Sequence, residues 1–187
     1  MSEPGNSLPV SPSWLPPPLV SRGQDLYVRL MMAIVGRGLV AISQVDATVR
    51  RELAVLPEGY TIGMRVMPAG PAFVVCVGPG GRLELVTPAP ERPRLGVCFK
   101  HRAHAFLVFS FQEGTARAFA NDRMYVDGDV SHAVRVVRCL DRMEAVILPR
   151  FVAARAVKRL PAMSLAQKLG LGLRVYLRLT TNLLRGK

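Results

Sequence analysis

The chain has 187 residues, half of them hydrophobic, 20% charged and 6% aromatic, with 25 Lys/Arg against 13 Asp/Glu. That supports one domain with extensions and a substantial core, with apolar residues left over for a lipid pocket or a membrane-facing surface. Nine Lys/Arg and no acid lie from Ala145 onward, whereas residues 1–144 hold 16 basic and 13 acidic residues. The basic character therefore belongs to a Leu-rich C-terminal region, which favours an anionic lipid layer. The low aromatic content and the lack of a reading module count against nucleic acid.

In chain order, residues 1–20 contain six prolines and read as an extended or disordered lead-in. Met1 to Asn6 carries an acid and no Lys/Arg, so no secretory signal is expected, and no run of about 18 uncharged apolar residues predicts a membrane span. The expected location is cytoplasmic, soluble or peripheral to a membrane. Residues 24–54 read as helical through Leu26, Leu30, Ile34, Val35, Val45 and Val49, with a kink predicted where Gly36 and Gly38 flank Arg37. Tyr60 to Met67 then alternates apolar and polar, as a half-buried strand does. Ala72 to Val77 predicts a buried strand, Gly78 to Gly81 a hairpin turn, Arg82 to Thr87 its return, and Leu95 to Phe99 a further strand.

Residues 101–112 carry Phe106, Leu107, Phe109 and Phe111, and their periodicity fits a helix or a strand. Thr115 to Ala120 predicts a helical turn and Arg123 to Val126 a short strand. After Asp127-Gly128-Asp129 a helix is expected, with Asp129 as N-cap, Gly128 supplying the turn, and Val130, Val134, Val137, Leu140 and Met143 on its apolar side. Pro149 and Pro161 bracket a short basic helix. A last helix from Ser164 carries Gln167, Arg174, Arg178, Thr181 and Arg185 as a polar stripe on a leucine-rich body.

The stretch Ala120 to Asp129, with the Val-rich helix after it, resembles the sterol carrier protein 2 (SCP2) domain, over about residues 58–148. The segment Leu140 to Glu144, through Leu148-Pro149, resembles a bacterial subgroup that assists ubiquinone biosynthesis by holding lipid intermediates. The chain ends Arg-Gly-Lys, unlike eukaryotic carriers with a peroxisomal Ser-Lys-Leu signal. The resemblance implies an α+β fold: one mostly antiparallel sheet of about five strands, covered by helices around an apolar cavity. With the proline content and the C-terminal charge, the expected division is a Pro-rich tail (1–20), an SCP2-like lipid-binding domain with N-terminal helices (21–149) and basic amphipathic C-terminal helices (150–187). It also implies lipid-lining roles for Phe106, Phe109, Phe111, Phe119, Met124, Val134 and Val137, although ordinary core explains the same phenylalanines.

Chemistry is expected to be lacking. Cys76, Cys98 and Cys139 are odd in number and far apart, and read as buried thiols in a reducing compartment. Asp122, Asp127 and Asp129 lack the closing ligand of a calcium loop, and His101 and His104 lack further metal ligands. Ser131-His132 beside Asp129 lacks a nucleophile elbow. No cofactor, metal or catalytic residue is expected. The leading expectation is a non-enzymatic carrier of an acyl, isoprenoid/quinone or sterol-like lipid. Its C-terminal helices would contact an anionic membrane through Lys168, Arg174, Arg178 and Arg185. The alternatives are a scaffold subunit of a lipid or ubiquinone biosynthesis complex, and nucleic-acid binding through the basic C-terminus.

Overall fold

The computed structural model describes residues 19–90, 92–147 and 165–184, so expectations for the Pro-rich tail, for the basic segment between Pro149 and Pro161, and for Arg185 fall outside it. The first helix, α1, spans Leu19–Val45, and Val28, Met32, Val35, Leu39 and Ile42 on one of its sides are all buried. The kink expected at Gly36–Gly38 does not form. Gly36 lies against the Phe73 ring, where a Cβ would approach within 3.0 Å, so its missing side chain serves close packing. The break falls instead at Asp46, whose carboxylate accepts the Thr48 and Val49 amides at 2.7 and 3.3 Å and starts α2 (Ala47–Leu53). Within α1, Arg22–Val45 has the length and hydropathy of a membrane-crossing helix, but its most apolar window is 56% buried in the fold, as in a core helix.

Five strands form one sheet in the order β3-β2-β1-β4-β5: β1 (Thr61–Val66), β2 (Ala72–Val77), β3 (Leu83–Leu85), β4 (Leu95–Phe99) and β5 (Met124–Asp127). Three pairings are antiparallel and β1–β4 is parallel, so the sheet is the mostly antiparallel one of the expected α+β class. The register aligns Ile62 with Val75 and Leu95, and Met64 with Phe73 and Val97. Period two then gathers these side chains on one apolar face, against which α1 packs. Buried Ser43 fastens the β3 edge: its hydroxyl donates to the Val40 carbonyl at 2.7 Å and accepts the Leu83 amide at 2.9 Å.

Residues 101–112 resolve into a helix, α3 (Arg102–Phe109), with Ala105 and Phe109 one turn apart on its buried side. After α4 (Thr115–Ala120) and β5 comes α5 (Val130–Ile147). Its core side is Ala133, Val136, Cys139, Met143 and Val146, while Val130 and Val134, expected on the apolar side, are exposed. Burial of that core side sets the rotation, and charge agrees with it. Arg135 and Arg138 reach Glu52 at 3.0 and 3.6 Å, and Arg142 reaches Asp46 at 2.9 Å, so α5 turns its arginine row toward α2. Finally α6 (Leu165–Leu184) lies on α1 and α5, with Val175 fully buried and Leu171 packed against the core.

Candidate functional site

The Gly-Asp turn is built as the sequence suggests. Gly128 sits at φ 126°, and a Cβ there would come within 2.6 Å of the Arg94 carbonyl. Asp129 accepts the Ser131 amide at 2.7 Å, and hydrogen bonds from the Ser131 side chain and backbone hold its carboxyl below the ordinary value. His132 does not complete a triad with its neighbours. Its Nδ1 meets the Tyr60 hydroxyl at 3.0 Å, and the two rings stand edge to face at 5.1 Å. Burial, then the Asp129 charge, push the Tyr60 phenol above its ordinary value, so it remains a neutral hydrogen-bonding group at physiological pH.

The residues named for lipid contact do not all converge. Phe109 is buried, tilted against Phe99 at 5.4 Å, and its carbonyl accepts the Tyr27 hydroxyl at 3.0 Å. Phe106 stands edge-on to Tyr27 at 5.5 Å. Phe119 packs half-buried against the same core and Met124 is fully inside it. Phe111 is half-buried at φ 59°, in the turn between α3 and α4. Val137 is half-buried on α5, whereas Val134 faces outward.

A groove of about 240 Å³ lies elsewhere, between α2 and α5, lined by Thr48, Val49, Glu52, Arg138, Cys139, Asp141 and Arg142. Glu52 pairs there with Arg138 and Arg142 with Asp46, while Asp141 also lines the groove and burial raises its carboxyl. Burial alone would raise the Asp46 carboxyl, but the Arg142 hydrogen bond and the Thr48 and Val49 amides more than offset it, leaving it below the ordinary value. Burial, followed by Glu52 and Asp46, pushes the Cys139 thiol up to about 12, so it stays protonated and unreactive. All three cysteines are free, Cys98 and Cys139 buried and Cys76 half-buried. Among the described residues no group of three or more His, Cys, Asp or Glu side chains is placed to hold a metal ion.

The outer surface carries the least expected feature. Leu26 (69% exposed), Leu30 (56%) and Ile34 form a ladder on α1, and Leu173 (62%) and Leu177 (57%) form a second on α6, the helix packed against it. Arg22 and Arg29 border the first ladder, and Arg174 and Arg178, both exposed, border the second. The sequence places Leu26, Leu30 and Ile34 on a helix; the structure puts them on its outside. Their four-residue spacing suits either face, and only Val28, Met32 and Val35 beside them reveal which one is buried. Lys168 lies within α6.

No family model matches the chain, and no curated protein matches it. In structure it is similar to solved SCP2 domains. The UbiJ-SCP2 ubiquinone synthesis protein shares 14% identity at a TM-score of 0.39, covering 68% of this chain and 97% of that one. Sterol carrier protein domain 2 of Helicoverpa armigera shares 14% at 0.42, covering 64% and 90%. Sterol Carrier Protein 2 from Yarrowia lipolytica shares 14% at 0.40, covering 61% and 89%.

Proposed function

We propose that this chain is a non-enzymatic lipid-binding protein that works at an anionic membrane surface. The observation that supports the reading is the paired leucine ladders of α1 and α6. Five of the nine large apolar side chains that stand exposed among the described residues belong to these two neighbouring helices. Each leucine moved from water into hydrocarbon contributes about 2 kcal/mol, and each Lys/Arg near an anionic surface about 1 kcal/mol. The arginines bordering the ladders therefore add attraction beside the leucines when the lipid is anionic. The resemblance carried by residues 120–129 and 140–149 adds a lipid cargo to this reading, with isoprenoid quinone intermediates as the first class to try.

The test is co-sedimentation with neutral and anionic vesicles in the presence of an RNA competitor, followed by lipid extraction and mass spectrometry of the purified protein. Binding should rise with anionic lipid content and fall only partly with salt, because the leucine contribution is not screened. Tight, salt-dependent RNA binding without vesicle binding would overturn the proposal in favour of nucleic acid. Binding to neither, with capture of a biosynthetic protein through the ladders, would favour the scaffold reading.

A further inference from the structure

Arg37 lies on the outward side of α1, three residues beyond Ile34, seven beyond Leu30 and eleven beyond Leu26, a spacing that continues the ladder. It is half-buried, and its Nε is fully buried without a hydrogen-bond partner. Among the described residues, the other half-buried arginines are engaged. Arg50 donates to the Gln44 carbonyl at 2.9 Å, and Arg123, Arg135 and Arg142 face Glu113, Glu52 and Asp46 at about 3 Å. Arg65 also has its own interaction. The acid nearest the start of the ladder, Asp25, is already held by Arg29 at 2.9 Å and Arg102 at 3.1 Å.

A buried Nε–H without an acceptor is costly, and the half-buried guanidinium that carries it presents a fork of donors that matches a phosphate or carboxylate. Apolar surface runs from it along one face for about 16 Å at the helical rise, a length comparable to an extended acyl chain. We infer that Arg37 binds the anionic headgroup of a single bilayer lipid whose chain lies along Leu30, Ile34 and Leu26. The inference rests on the membrane reading above and assigns it a defined headgroup contact. Arg174 and Arg178, being exposed, act differently: they attract anionic charge diffusely and are screened by salt. Arg37, partly removed from water, gives a contact that salt weakens much less.

The experiment compares the full chain, Arg37→Gln, Arg37→Lys and the double variant Arg174→Gln/Arg178→Gln. Vesicles are phosphatidylcholine with or without phosphatidic acid, titrated across a salt series, with thermal melts confirming folding. In the unaltered chain, preference for phosphatidic acid should decline with salt to a several-fold plateau. Arg37→Gln should lose the plateau, and the double variant should lose the salt-sensitive part. Arg37→Lys should recover only a fraction, because lysine lacks the bidentate fork. Short-chain phosphatidic acid below its micelle concentration should bind one to one in calorimetry, and Arg37→Gln should abolish the heat. A plateau and a saturable heat that survive in Arg37→Gln would overturn the inference while leaving the membrane reading standing. Lack of vesicle binding by the unaltered chain would overturn both. If Arg37→Gln fails to fold, the comparison of Arg37→Lys with the unaltered chain decides: an unchanged plateau overturns the headgroup contact.

Discussion

Replacing Glu144 by Gln gives a stability difference whose sign and pH range follow from position alone. Glu144 sits half-buried in the last turns of α5, and burial, followed by the charge of Asp141 one turn earlier, pushes its carboxyl up to about 7 from 4.5. Burial raises Asp141 as well. An acid with a raised folded pKa holds its proton longer folded than unfolded, so stability is fully present below the unfolded pKa and is lost as pH rises toward the folded one. The shift corresponds to about 3 kcal/mol lost between roughly pH 4.5 and 7. Gln has no charge to desolvate, so Glu144→Gln should match the unaltered protein near pH 4 and exceed it by up to about 3 kcal/mol at pH 8. Urea unfolding at a series of pH values, followed by circular dichroism, measures both curves. Parallel curves, or a less stable variant at pH 8, would refute the argument that the Glu144 carboxylate is desolvated without compensation.

Asp46→Asn keeps an oxygen for the α2 cap but removes the partner of Arg142, so it should cost about 3 kcal/mol at neutral pH. Because the Asp46 carboxyl lies below its ordinary value, that stabilisation is present above the unfolded carboxylate pKa and is lost as pH falls through the folded one; equilibrium melts at pH 7 and pH 2 should show the difference close. Gly128→Val places a Cβ 2.6 Å from the Arg94 carbonyl in a backbone conformation unfavourable to L residues, and should cost more than about 3 kcal/mol by the same assay.

The strands were legible because period two is a short-range signal. The Ala72–Val77 and Leu95–Phe99 segments have the boundaries their apolar runs suggest, and the Gly-Asp turn announced α5. What the sequence withheld was pairing and rotation. The parallel alignment of Thr61–Val66 with Leu95–Phe99 depends on strands separated by a hairpin and a loop, which no local pattern encodes. The rotation of α5 depends on what packs against it, the core on one side and Glu52 and Asp46 from before the sheet on another, so Val130 and Val134 look core-facing from their spacing alone. The break after α1 was misread for a related reason. Two glycines resemble a helix breaker, and the ring of Phe73 that makes Gly36 useful comes from another element. The outward leucines of α1 were visible as residues but not as surface, since exposure is decided by what packs against the opposite side.

The parallel β1–β4 ladder joins two stretches that are each continuous in sequence. The β1, β2 and β3 strands follow one another as a meander, while β4 and β5 enclose α3 and α4. The longest helix among the described residues, α1, touches both: it packs on β2 and β3 and also on α3, α5 and α6. The molecule is thus two stretches joined along the β1–β4 seam, by α1, and by the ion pairs that Glu52 and Asp46 make with α5. A cut in the connection between β3 and β4 should then leave two fragments with complementary strand edges and opposite charges at the α2–α5 contact, able to recognise each other.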